Sequence, residues 1–234
     1  SAIRYAVEKV AKRVPVIAGA GSNDTRHGIN LSIEAEKCGA DALLHVTPYY
    51  NKTSQKGLIE HFTAIADAVN IPIILYHVPG RTGQAFAPET VLKLSAHKNI
   101  VAIKDATGDL GYTVKLASLL PEDFAIYSGN DDVVIPLMSV GGQGVISVLA
   151  NCCPKETNEM VHAYLEGDVK KAAEIQTTYK ALIDLLFEGP NPIPVKAAMA
   201  MMGYATDVLR LPLSSAVDST VEALRAEMQS LGMI

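Results

Sequence analysis

Six short apolar runs recur along this 234-residue chain at a nearly constant interval. They begin near positions 14, 42, 71, 100, 124 and 145, which sets the intervals at 28, 29, 29, 24 and 21 residues. One strand, one helix and two loops fill such an interval. Its right-handed repetition gives either a doubly wound sheet or a closed barrel. The doubly wound dinucleotide fold needs Gly-x-Gly-x-x-Gly after its first strand, and here Asp24 stands where the third glycine belongs after Gly19-Ala20-Gly21. The pattern therefore predicts an α/β chain of the TIM (β/α)8 barrel class. Six strands do not close an eight-stranded barrel. At about 31 residues per unit, the expectation is that the first βα unit and the second strand, roughly 50 residues, precede Ser1.

The remaining elements follow from local signals. Apolar positions at Ile3, Ala6, Val7, Val10 and Ala11 give residues 1–12 a helical period. Val14 to Gly19 reads as a strand, and Gly21-Ser22-Asn23-Asp24 turns and caps a helix over 25–38. A strand over 42–47, a helix over 55–69 and a strand from Ile71 follow, then strands near Ile100, Phe124 and Val145. Helices are expected over 88–96, 110–119 and 131–140. Beyond the sixth strand only helices are expected, over 155–165, 168–188, 192–202 and 214–230. The chain thus divides into barrel residues 1–154 and C-terminal residues 155–234, the latter holding the last barrel helix and a helical appendage.

Composition narrows the function classes. A net charge of −5 without a block of like charges gives no footing for nucleic acid or an anionic membrane. No apolar run reaches spanning length. The three cysteines, Cys38, Cys152 and Cys153, lack metal-ligand spacing, and their odd number predicts a reducing, cytoplasmic setting. With 49% hydrophobic and only 19% charged residues, the surface reads as partly covered by other subunits.

The chemistry concentrates at two strand ends. Ile100 to Ile103 is an apolar run that closes on Lys104, and the preceding strand, from Ile71, closes on Tyr76. Burying an ammonium is costly, so such a lysine either snorkels outward or is held in a pocket for its reactivity. Consecutive parallel strands ending in Tyr and Lys place a phenol beside an amine. The plainer alternative is a structural lysine paired with a carboxylate.

Ordered motifs extend this pair over the whole chain: Thr47-Pro48-Tyr49-Tyr50-Asn51-Lys52, Ile74-Leu75-Tyr76-His77-Val78-Pro79-Gly80-Arg81-Thr82-Gly83, Ile103-Lys104-Asp105-Ala106-Thr107-Gly108-Asp109, Ser128-Gly129-Asn130-Asp131, Gly144-Val145-Ile146-Ser147-Val148 and Pro190-Asn191-Pro192-Ile193-Pro194-Val195-Lys196. In these the sequence resembles the family of Schiff-base aldolases that contains dihydrodipicolinate synthase and N-acetylneuraminate lyase. The resemblance implies a TIM barrel with a C-terminal helical domain, assembled as a homotetramer (a dimer of dimers). It implies condensation of pyruvate with L-aspartate-4-semialdehyde on the route to diaminopimelate and lysine, with no metal and no organic cofactor. It also implies that a Gly-Thr-Thr-Gly-Glu loop, which holds the pyruvate carboxylate and supplies a relay threonine, lies ahead of Ser1. On that expectation the 234 residues by themselves are inactive.

The resemblance carries roles onto single residues. Lys104 matches the Schiff-base lysine, whose iminium serves as the electron sink. Tyr76 matches the proton-transfer phenol beside it, and Tyr50 its relay partner, reaching in from a neighbouring subunit. Arg81 matches the arginine that holds the aldehyde's carboxylate, a task suited to a guanidinium fork. Gly129 and the Ile146 carbonyl line the pyruvate side. Without the motifs, Arg81 reads as a surface-loop arginine and Tyr49 and Tyr50 as interface aromatics.

Two departures stand out. His77 occupies a position where the family most often has Asn, and a packed histidine is the plain reading of it. In lysine-inhibited members an effector site includes the positions of Asn23 and Tyr49 and a glutamate four residues after the Asn. Here that position is His27. Two further readings remain at this level. One is a sialic-acid or 2-keto-3-deoxy-sugar-acid lyase of the same family, which Arg81 disfavours. The other is an inactive, oligomer-forming barrel fragment.

Overall fold

The computed structural model describes residues 2–234. It consists of two compact units, one formed by residues 2–129 and 139–143 and the other by residues 130–138 and 144–234. The first unit begins with helix α1 (Ala2–Val10) and continues β1 (Ile17–Gly19), α2 (Thr25–Lys37), β2 (Ala42–Val46), α3 (Gln55–Asp67) and β3 (Ile73–His77). It is completed by α4 (Pro79–Thr82), α5 (Pro88–Ser95), β4 (Ile100–Asp105), α6 (Leu110–Leu119) and β5 (Ala125–Ser128). Ser1 lies outside the described residues. Strand order equals sequence order, and every pairing from β1 to β5 is parallel.

The helix starts are set by side-chain caps. Asp24 accepts from the His27 amide at the start of α2, Ser54 from Gly57 at α3, and Asp109 from Tyr112 at α6. The strands are covered on both faces, as parallel strands are, so Leu43, Ile73, Leu75 and Ile103 are fully buried. Leu58, Phe62 and Ile65 of α3 are fully buried as well.

One irregularity decides the geometry of the sheet's C-terminal end. Ile73 pairs with Ile100, whereas Ile74 pairs with Ala102, so β4 carries one extra residue at that step. Tyr76 is thereby set against Lys104 rather than Ile103, and His77 against Asp105.

The second unit contains α7 (Val134–Met138), β6 (Gly144–Val145), α8 (Pro154–Leu165), α9 (Val169–Thr178), α10 (Lys180–Phe187), α11 (Ile193–Met201) and α12 (Asp218–Ser230). One of its cores gathers Leu149, Leu182, Leu186, Ala198, Leu224 and Met228, and another gathers Val134, Met138, Met160 and Ala172.

Several expected elements differ in detail. The first strand is three residues, not six, because Val14, Pro15 and Val16 precede the ladder. The helix expected over 131–140 divides into a 3-10 turn, Asp131–Val133, and α7. The single helix expected over 168–188 divides at Tyr179 into α9 and α10. The strands of Tyr76 and Lys104 each run one residue further, to His77 and Asp105. The short α4 was not expected: Pro79 opens it and Gly83, at φ +69°, ends it in the left-handed region that favours glycine.

Candidate active site

Tyr76 and Lys104 are register partners on adjacent strands, and the Lys104 ammonium lies 4.2 Å from the centroid of the Tyr76 ring. A cation over a phenol face is attracted by about 0.5–2 kcal/mol, depending on desolvation. Burial raises the Tyr76 hydroxyl above its ordinary value of 10, with the Arg81 charge pulling the other way. The phenol is therefore protonated at neutral pH, ready to donate.

Gly129 closes the other side of the lysine. Its amide donates to the Asp105 carbonyl at 2.7 Å. A Cβ on it would stand 2.5 Å from Ala106 Cβ and 3.0 Å from Lys104 Cε, so only glycine leaves the lysine stem its path.

Arg81 projects from α4 and lines a cavity of about 390 Å³ with Gly19, Gly21, Val46, Tyr49 and Tyr76. The turn that carries it is braced from several directions. Thr82 Oγ1 accepts from the buried Thr47 hydroxyl at 3.1 Å. Gln84 Oε1 accepts from the Thr53 amide at 2.8 Å, and Gln55 Oε1 from the Ala87 amide at 2.9 Å. Thr47, Thr82, Gln84 and Gln55 were not singled out from the sequence. The sequence signal for Thr47 and Thr82 is their place inside two of the ordered motifs, and Gln55 and Gln84 carry none.

The other expected site residues are placed as follows. Tyr50 is 92% exposed and has φ +70°, a left-handed conformation that costs a non-glycine residue about 1–2 kcal/mol. It does not line the Arg81 cavity, whereas Tyr49 does. Asn23 and Tyr49 come together, the Asn23 side-chain Nδ2 donating to the Tyr49 backbone carbonyl at 3.1 Å and the Asn23 backbone carbonyl accepting from Asn51 Nδ2 at 2.8 Å. His27 is exposed in the first turn of α2. Ile146 belongs to the second unit, half-buried just after β6.

Behind the tyrosine and lysine the alternation of β-strands points their successors the opposite way. His77 and Asp105 are both buried. The Asp105 carboxylate accepts from the Thr107 amide (3.0 Å), the Thr107 hydroxyl (2.7 Å) and the Thr113 hydroxyl (2.8 Å). His77 Nδ1 lies 4.0 Å from Asp105 Oδ1, beyond hydrogen-bond reach. Burial lowers the His77 imidazole from 6.5, against the raising effect of Asp105, so the ring is neutral. Among the described residues no group of three metal-ligating side chains converges.

What these groups can do together is bind an oxo-acid. The amine is a nucleophile, the adjacent phenol a proton donor, and the arginine an anchor for a second carboxylate.

Comparison with known proteins points the same way. Residues 1–231 match the dihydrodipicolinate synthetase family. The chain is 52% identical over 232 residues to the 4-hydroxy-tetrahydrodipicolinate synthase of Acetivibrio thermocellus, covering 99% of this chain and 79% of the relative. It is 53% identical over 231 residues to that of Caldicellulosiruptor saccharolyticus, covering 99% of this chain and 78% of the relative. Among solved structures it resembles the dihydrodipicolinate synthase of Thermotoga maritima with a TM-score of 0.98 and 41% identity, covering 100% of this chain and 80% of that one. It resembles the lysine-bound enzyme of Cyanidioschyzon merolae with a TM-score of 0.96 and 39% identity, covering 99% and 79%.

Proposed function

The chain belongs to the dihydrodipicolinate synthetase family, and from that premise we infer how its own residues carry the condensation of pyruvate with L-aspartate-4-semialdehyde. The observation that carries the reading is the Tyr76–Lys104 pair, with Arg81 lining the cavity beside Tyr76.

Lys104 Nζ attacks the ketone carbon of pyruvate. Tyr76, protonated because it is buried, delivers the proton that lets the carbinolamine oxygen leave as water. The resulting iminium withdraws electrons from the methyl carbon, which gives up a proton to form the enamine. The enamine carbon bonds to the aldehyde carbon, whose oxygen takes up a proton. The semialdehyde's own amine then displaces Lys104, closing the ring and restoring the free lysine. Arg81 holds the aldehyde's carboxylate through this sequence.

Gly129 bounds the pyruvate side, against the Lys104 stem. Tyr50 completes the proton relay in the site of a second copy of the chain. Its exposure and strained backbone support that reading, since strain of this kind collects where a side chain must be held in a functional position. The assembly is a homotetramer built from such pairs.

The test supplies the complete protein, purified, with both substrates and follows their consumption, with N-acetylneuraminate cleavage assayed in parallel. One-to-one loss of pyruvate and semialdehyde is expected. Cleavage of the sugar acid with no condensation would replace this reading by the lyase.

A further inference from the structure

The backbone of Phe86 is held at both polar atoms by two rings, the buried His77 and the half-buried Tyr112. Its amide donates to His77 Nε2 at 3.2 Å, and its carbonyl accepts from the Tyr112 hydroxyl at 3.1 Å. The two rings stack at a centroid distance of 4.8 Å, tilted by 54°. The Phe86 ring packs on His77 at 5.7 Å and on Phe62 at 5.3 Å. His77 is the last residue of β3, and Tyr112 lies in the first turn of α6. Phe86 ends the segment that begins after His77 and carries Arg81 on α4. The bracket therefore closes that segment into a loop and ties its far end to the strand pair that presents Tyr76 and Lys104.

We propose that His77 is a positioning residue: through the Phe86 amide it fixes the Arg81 turn relative to Lys104 and so sets the affinity for the carboxylate of the aldehyde substrate. His77 touches neither substrate. What it contributes is a ring nitrogen acceptor where a backbone N–H would otherwise be buried without a partner, a loss large enough to let the segment shift. The tautomer follows from the geometry. Nε2 accepts, so the proton sits on Nδ1, which has no hydrogen-bond partner among the described residues. A ring doubly protonated would turn a donor toward the Phe86 donor, and the bond would be lost.

This proposal rests on the functional reading above. The experiment places H77L, H77Q and Y112F in the complete protein and compares each with the unaltered one. Leucine removes the acceptor, glutamine restores one near the Nε2 position, and Y112F removes the other half of the bracket. H77L is expected to raise KM for the aldehyde at least tenfold, to leave borohydride trapping of the pyruvate adduct within twofold, and to speed hydrogen exchange in residues 79–87. H77Q is expected to recover most of both losses, and Y112F to move them in the same direction as H77L. Equal aldehyde KM and equal exchange in all four proteins would overturn the proposal. So would pyruvate trapping falling in step with aldehyde binding. Should H77L fail to fold, Y112F and H77Q carry the decision by the same two readouts. Failure of the functional reading itself shows separately, as absence of condensation by the unaltered complete protein, while the exchange measurement still reports on the bracket.

Discussion

Tyr76 and Lys104 face each other across β3 and β4 only because β4 holds one more residue than β3 between the first paired position and this one. The extra residue lets a phenol and an amine, 28 residues apart in sequence, share one face of the sheet with 4.2 Å between the ammonium and the ring centroid.

Borohydride added with pyruvate should trap an adduct on Lys104 in the complete protein, and Lys104→Ala should abolish it. Tyr76→Phe should slow turnover by about 10²–10³, the scale of a positioned proton donor. Mass spectrometry of tryptic peptides locates the adduct. A trapped adduct on any other lysine would overturn the assignment.

Arg81→Ala should weaken aldehyde binding by about 10- to 150-fold, the equivalent of a charge-assisted hydrogen bond of about 1.5–3 kcal/mol. Pyruvate trapping should survive. Removing the guanidinium also removes the charge that pulls the Tyr76 phenol down, so the alkaline limb of the rate profile should move to higher pH. An unchanged aldehyde KM would show that another group holds that carboxylate.

Gly129→Ala should slow adduct formation while the chain stays folded, because the new Cβ meets Ala106 at 2.5 Å and the Lys104 stem at 3.0 Å. Overpacking of this kind costs about 1–3 kcal/mol. Adding Ala106→Gly should recover the melting temperature more fully than the trapping rate, since the contact with Lys104 remains. Trapping kinetics equal to those of the unaltered chain would show that the lysine takes another path.

Lysine should inhibit weakly. The Asn23–Tyr49 contact is present, but the exposed His27 offers no carboxylate to an effector's ammonium. His27→Glu should tighten inhibition by about 10- to 150-fold on the same charge-assisted scale. Inhibition titrations at neutral pH on both proteins decide, and tight inhibition of the unaltered chain would contradict the expectation.

Stability should be level above about pH 6.5 and fall between pH 6.5 and about 4. Burial, helped by the nearby His61 charge, lowers His45 to about 4, and burial also lowers His61 and His77. Within that window the unfolded chain binds protons that the folded chain refuses, so acid favours unfolding. For His45 the shift corresponds to about 3 kcal/mol, at 1.36 kcal/mol per unit. His45 Nε2 donates to Ser32 Oγ, at 3.0 Å, while its Nδ1 is unpartnered among the described residues. Urea midpoints at pH 7.5, 5.5 and 4.5 check this, and a constant midpoint would refute it.

The strand–helix repeat, the helix start capped by the turn ending in Asp24, and the polar residues ending two apolar runs were all legible in the sequence. Each depends on neighbours a few residues away, where periodicity and capping act. The ordered motifs added the assignments of Lys104, Tyr76 and Arg81. The phenol beside the amine was expected from the strand ends, but only the tertiary structure shows the extra residue in β4 that sets Tyr76 against Lys104 rather than Ile103, because strands buried on both faces read as continuous apolar runs that fix no register. It alone placed Gly129 against the lysine stem and both rings on Phe86. Those contacts join residues 9 to 26 positions apart, and close packing across the sheet, rather than any local preference, determines which of them form.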